Sequence, residues 1–195
     1  YIFQRRVLEM SDLIKSKKRS DALGEVFTPQ WLVDDLLNEL PQDVFTNPEK
    51  TFIDPACGDG NFLVRVLERK IQNGSTPLQA LQTTYGVDIM PDNIEQCRQR
   101  LLRTAMSLNS GKWEKSWKEP LIGNIRFGNT LERPIEDIFT EDTQVAEERL
   151  KLQKEILAIK EKMAPLELEL RTLQEEVDGL VERQEALLSI DGGQG

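Results

Sequence analysis

The chain's 195 residues suffice for one globular domain with an appendage and are short for two full domains. Hydrophobic side chains make up 38% and charged ones 30%, with no long apolar run, which excludes a membrane span and leads us to expect a soluble, cytoplasmic protein. There is no histidine, so histidine acid–base catalysis and every histidine-containing metal site are ruled out, and no metal is expected.

Two cysteines, Cys57 and Cys97, are too few for a disulfide scaffold and fit a reducing compartment. The chain opens on Tyr1 rather than Met, which leaves room for an upstream piece. The net charge of −9 argues against phosphate binding, but it is unevenly placed. Residues 141–195 carry seven basic and fourteen acidic side chains, so the preceding part is nearly neutral. That part contains a basic run at Lys15, Lys17, Lys18 and Arg19, which suits either a solvated helix face or a phosphate backbone.

In chain order, Val7, Met10, Leu13 and Ile14 predict an amphipathic helix over residues 1–20. A loop with Gly24 and Pro29 follows, then a helix over residues 30–40 that stops at Pro41. A short strand is expected at residues 51–54, then a small-residue turn and a helix over residues 61–72 with Phe62, Leu63, Val66 and Leu67 toward the sheet. Pro77 starts another helix, residues 84–88 read as a second strand, Pro91 opens a helix to residue 109, and residues 125–127 form a third strand. Strands alternating with helices predict an α/β fold, a Rossmann-like parallel sheet with flanking helices. Such sheets bind ligands at the carboxyl ends of their strands.

From residue 141 the hydrophobic spacing changes to an uninterrupted 4-3 pattern running from Leu152 through Ile156, Ile159 and Met163 to Leu180 and Leu187. This predicts a coiled-coil seam over residues 141–190, with Pro165 permitting a helical hairpin as well as a self-associating or partner-binding helix. The expected division is therefore a domain over residues 1–140, a coiled coil or hairpin over 141–190 and a Gly-rich flexible tail over 191–195.

The turn Asp54-Pro55-Ala56-Cys57-Gly58-Asp59-Gly60-Asn61-Phe62 joins a strand to a helix, where small residues and backbone amides allow a ligand close approach. Its acid at the strand end suits a cationic ligand, and the G-x-G-x-x-G spacing of dinucleotide sites is missing. Asp88, closing the second strand, can accept ribose hydroxyls, with Ile89 packing on an adenine; alternatively it caps the helix entered through Pro91. Asn129 lies after the third strand, where a simple Gly128-Asn129 turn is the competing reading.

The nonapeptide resembles the D-P-A-C-G-S-G-x-F motif of the adenine-N6 DNA methyltransferases, with Asp59 in the usual Ser position. Gly24-Glu25-Val26-Phe27-Thr28-Pro29 is similar to that family's other methionine-contacting segment, and the two motifs stand in the family's order. The resemblance implies S-adenosylmethionine as cofactor, DNA as partner and a restriction-modification setting. It implies contacts from Phe27 and Thr28, from Asp54, Ala56, Cys57, Gly58, Gly60 and Phe62 around the methionine part, and from Asn129 on the adenine amino group. It covers roughly residues 20–135.

Family members also carry an Asn/Asp-Pro-Pro-Tyr/Phe tetrapeptide that grips a flipped-out adenine, and these residues lack it; Asn47-Pro48 lies upstream of the loop and is followed by Glu49. No catalytic residue is therefore assigned. The expected function is the cofactor-binding part of such an enzyme, completed by a missing segment or a partner chain. The alternative is a non-catalytic, methyltransferase-derived interaction protein acting through its coiled coil.

Overall fold

The computed structural model describes residues 28–191, with side chains described through residue 185. The helix expected over residues 1–20, its basic run, Phe27 and the last four residues lie outside that range. Contacts divide the chain into a unit ending at Lys151 and a second beginning at Leu152.

The first unit is an α/β domain. Helices α1 (Gln30–Asn38) and α2 (Asp43–Thr46) lead into β1 (Phe52–Asp54), followed by α3 (Asn61–Gln72), α4 (Pro77–Gln82) and β2 (Thr84–Asp88). Then come α5 (Pro91–Leu108), a short 3-10 turn at Lys115–Trp117, α6 (Lys118–Asn124), β3 (Ile125–Phe127) and α7 (Ile135–Thr140). The three strands form one parallel sheet in the order β1-β2-β3, with Ile53 opposite Tyr85 and Val87 opposite Arg126. Each crossover between neighbouring strands carries helices, as parallel pairing requires. The outer edge of β1 has no strand partner among the described residues.

Local chemistry explains the elements. Leu63, Val66, Leu67 and Lys70 recur at three- and four-residue spacing, so α3 buries one stripe. Thr76 begins α4 with a capping box: its hydroxyl accepts from Gln79 N at 3.2 Å and its own N–H donates to Gln79 Oε1 at 2.9 Å. Pro77 and Pro91 occupy the first turns of α4 and α5, where a missing N–H costs nothing. The main core gathers Leu63, Leu67, Ile94, Leu101, Trp117 and Ile125 between the sheet and its helices. A second cluster, Val33, Leu37, Phe45 and Val66, seats α1 and α2 on α3.

The two sheet faces differ. Gly86 lies against α3, where a Cβ would meet Leu63 Cδ1 at 2.5 Å and Cys57 Sγ at 3.0 Å. On the opposite face Tyr85 meets Phe139 of α7 edge to face, with centroids 5.2 Å apart, while Ile53 on β1 stays 42% exposed.

The last helix, α8 (Thr143–Asp191), begins inside the first unit. Its early residues Ala146 and Leu150 are buried there, and Glu147 pairs with Arg98 at 2.7 Å. The α/β unit thus reaches past the boundary expected at residue 140, because the first two turns of α8 supply core. Beyond them α8 continues as a single helix through Pro165 rather than folding into the hairpin that the proline permits. The 4-3 stripe of Leu152, Ile156, Ile159, Met163, Leu166, Leu170, Leu173, Val177 and Leu180 is exposed throughout. No helix among the described residues is long and apolar enough to cross a membrane.

Candidate functional site

The carboxyl ends of all three strands open on one side of the sheet, and the loop after β1 lies across them. It is held by a small set of directed bonds. Cys57 N donates to Val87 O at 2.9 Å, which lays the loop along β2. Gly58 N donates to Asp88 Oδ2 at 2.9 Å, and Ala56 N to Asp54 Oδ1 at 3.1 Å. Thr130 Oγ1 donates to Pro55 O at 3.2 Å, tying the segment after β3 to the same loop.

Gly58 and Gly60 both have positive φ, 54° and 93°. At Gly60 the requirement is twofold, because a Cβ would also approach Cys97 Sγ of α5 to 2.6 Å. Only glycine lets the loop turn into α3 while resting on α5.

Asp54 and Asp88 end adjacent paired strands, and their charges oppose each other. Burial holds the Asp54 carboxyl above its usual range; the Ala56 N–H partly offsets this, and Asp88 adds to the rise. A cation bound beside Asp54 would relieve the repulsion that Asp88 exerts on it. Asp88 is itself caged: Oδ1 accepts from Met90 N at 2.8 Å and from Asn93 Nδ2 at 3.1 Å. Asp88 therefore organises the turn into α5 without capping it, since the N-cap is Met90 and no side chain caps the helix. Each carboxylate oxygen can accept more than one donor, so this role does not exclude a ligand hydroxyl.

The other sequence-derived residues divide by what their side chains touch. Ile89 is 50% exposed beside Asp88 and presents an apolar surface. Asn129 forms the turn offered as the competing reading, its Oδ1 accepting from Leu131 N at 3.0 Å. Cys57 is buried in the main core, and the hydrogen bond its thiol makes to Cys97, together with burial, pushes its pKa far up, so it stays protonated. Cys57 and Ala56 can thus offer a ligand backbone only or surface, not a thiolate. Phe62 packs on the α1–α2 cluster and supports the loop from beneath. Thr28 accepts a bond from Asn61 Nδ2 at 3.0 Å through its carbonyl, which brings the segment before α1 to the loop.

Arg100 on α5 was not singled out by the sequence, yet it joins these pieces. Its Nη1 lies 2.6 Å from Asp59 Oδ1, close but not directed as a hydrogen bond, and donates to Asp59 O at 3.1 Å. Its Nη2 donates to Asn61 Oδ1 at 2.7 Å. Asp59, the departure from the usual Ser of the motif, is thereby half of an ion pair. The available signal was the unusual acid itself, but its cation lies 41 residues away.

A parallel α/β domain whose glycine loop and two strand-end carboxylates share one side of the sheet belongs to the large class that binds ligands at strand carboxyl ends. Comparison with known proteins narrows that class. The chain belongs to the N-6 DNA Methylase family, whose profile matches residues 10–148. It is also similar to the Type II methyltransferase M.VspI of Vibrio sp. (strain 343), 35% identical over 92 residues. That stretch is 47% of this chain, and it spans only 19% of the relative. No solved structure matches the chain significantly.

Proposed function

We propose that this chain is the S-adenosylmethionine-binding part of a DNA adenine-N6 methyltransferase, built on a Rossmann-like core. The reading rests on one observation above the rest: the loop from Asp54 to Phe62 and the carboxylates of Asp54 and Asp88 meet at the strand carboxyl ends. The repulsion between those acids fits a ligand carrying ammonium and sulfonium charge. Bound there, the cofactor supplies an electrophilic methyl group.

The chain's own residues then bind and orient. Asp54 faces the cationic methionine part, and the backbone from Ala56 to Gly60 follows it closely. Thr28 closes the other side. Asp88 accepts from the ribose, Ile89 packs on the adenine and Asn129 holds its amino group. The acceptor base needs groups that these residues do not carry, so transfer to DNA is completed by a further segment or a partner chain.

The exposed stripe on α8 supports a coiled-coil assembly role for that helix, and sedimentation over a dilution series reads it. Calorimetry tests the main reading. Saturable binding of S-adenosylmethionine by the chain is expected, with labelled methyl groups entering DNA only after the completing partner is added. No heat at millimolar cofactor would overturn it.

A further inference from the structure

A second feature lies at the other end of the sheet, lined by none of the residues assigned to the cofactor. A cavity of about 760 Å³ opens at the amino ends of β2 and β3, between Gln82 before one strand and Asn124 before the other. Its volume falls within the range of small-molecule sites, roughly 300–1,000 Å³. Lys115, Lys118 and Arg126 line it, against a single acid, Glu119.

Arg126 is the unusual member. It projects from β3 and is 4% exposed. Its Nε donates to Gly123 O at 2.7 Å and its Nη2 to Thr143 Oγ1 at 3.0 Å, but Nη1 has no hydrogen-bond partner. The acids nearby are committed elsewhere. Glu141 pairs with Arg133 and Arg149, Glu147 pairs with Arg98, and Asp142 accepts the N–H groups of Gln144 and Val145 at the start of α8. Burial and the neighbouring Arg98 work against the Arg126 charge, and Glu141, Glu147 and Asp142 offset this only in part and from a distance. A guanidinium nevertheless stays protonated in proteins, so a buried cation with no ion-pair partner among the described residues stands at the cavity wall.

We propose that this cavity is a second ligand site, taking a small phosphate-bearing molecule of about nucleotide size. Three cations against one acid favour a multiply charged oxyanion over a single carboxylate, and the one Arg126 nitrogen without a partner, Nη1, is the donor left for a phosphate oxygen. Lys115 and Lys118, both exposed, attract the phosphate at the mouth. Tyr85 and Phe139, perpendicular to each other at 86°, give the cavity an aromatic wall against which a planar ring can lie. The site is separate from the cofactor reading and stands whether or not that reading holds.

The test is an NMR titration of the full chain, following the Arg126 Nε–H and the Thr143 amide. The probes are inorganic phosphate and adenosine 5′-monophosphate, with and without saturating S-adenosylhomocysteine. Saturable shifts at Arg126 and Thr143, half-complete below about 1 mM and unaffected by S-adenosylhomocysteine, are expected for at least one probe. Movement of the Tyr85 and Phe139 rings with the nucleotide alone identifies the nucleotide as the better ligand. Because R126Q removes a buried group and risks misfolding, the paired surface change Lys115→Gln and Lys118→Gln is the second arm. It should weaken the response about tenfold while leaving S-adenosylhomocysteine binding unchanged. No shift at Arg126 with either probe, shifts confined to Gly58 and Ile89, or a response indifferent to the lysine changes would overturn the proposal.

Discussion

At the residue scale, the sign of one titration bears on the cofactor reading. The Asp54 carboxyl is raised above 3.8 in the folded chain, chiefly by burial. In the ligand-free chain its contribution to stability is full below 3.8 and is lost as pH rises through the folded value. A cationic ligand favours the ionised form, so S-adenosylmethionine affinity should rise with pH through the same acidic window. Asp54→Asn should bind about tenfold or more weakly and lose that pH dependence, as read by calorimetry at a series of pH values.

Lys70 gives the opposite case. It is fully buried, with Nζ donating to Lys50 O at 2.5 Å and to Thr83 Oγ1 at 2.6 Å, and burial lowers its pKa from 10.5 to about 8. Below about 8 the folded chain carries the full cost of the buried ammonium. Between 8 and 10.5 the unfolded chain holds the proton more tightly, so stability should rise with pH, by no more than about 3 kcal/mol. Denaturant melts of the chain and of Lys70→Met across that window should differ in slope by this contribution. Apolar spacing marked Leu63, Val66 and Leu67 on α3 but passed over Lys70, whose three oxygen partners come from residues 50 and 83.

At the element scale, the loop and α3 depend on contacts with α5. Gly60→Ala combines a positive φ with a Cβ 2.6 Å from Cys97 Sγ, so it should destabilise by about 2–4 kcal/mol in chemical denaturation. Its glycine requirement was legible as a motif; the reason for it was not, since Cys97 is a chain crossover away. Arg100→Ala should leave α5 intact yet loosen both the loop and the segment at Thr28. Weaker cofactor binding with a small change in Tm is expected, and unchanged affinity would assign the Asp59 pair to folding alone.

The elements themselves were read well where hydrophobic spacing or proline marked them. The strand over residues 84–88 and the helix over residues 61–72 formed as the spacing predicted. α2, α6 and α7 are four to seven residues long, too short to show a period, and were not anticipated. α8 differs for another reason. Pro165 removes one backbone donor, but the strong helix formers on both sides carry the helix past it.

At the scale of the whole molecule, the domain's edge is testable. A chain cut after Lys151 keeps Ala146, Leu150 and the Glu147–Arg98 pair, and should fold with a Tm close to that of the full chain. A cut after residue 140 removes them, leaving Arg98 half-buried without its acid. It should be less stable by about 3 kcal/mol or more. Equal melting temperatures for the two would show that the first turns of α8 contribute nothing.

The sequence by itself determined the α/β alternation, the glycine loop after β1, the acid closing β2 and the membership these imply, because all are local patterns of spacing and residue type. The tertiary structure decided which atoms meet. It joined Asp59 to Arg100, enclosed Asp88 with Gly58 and Asn93, buried Lys70 against Lys50 and Thr83 and set Arg126, with no paired acid among the described residues, at the wall of a cavity. Each of these partnerships joins residues brought together by parallel crossovers. Their energies depend on burial and distance, which no linear spacing encodes.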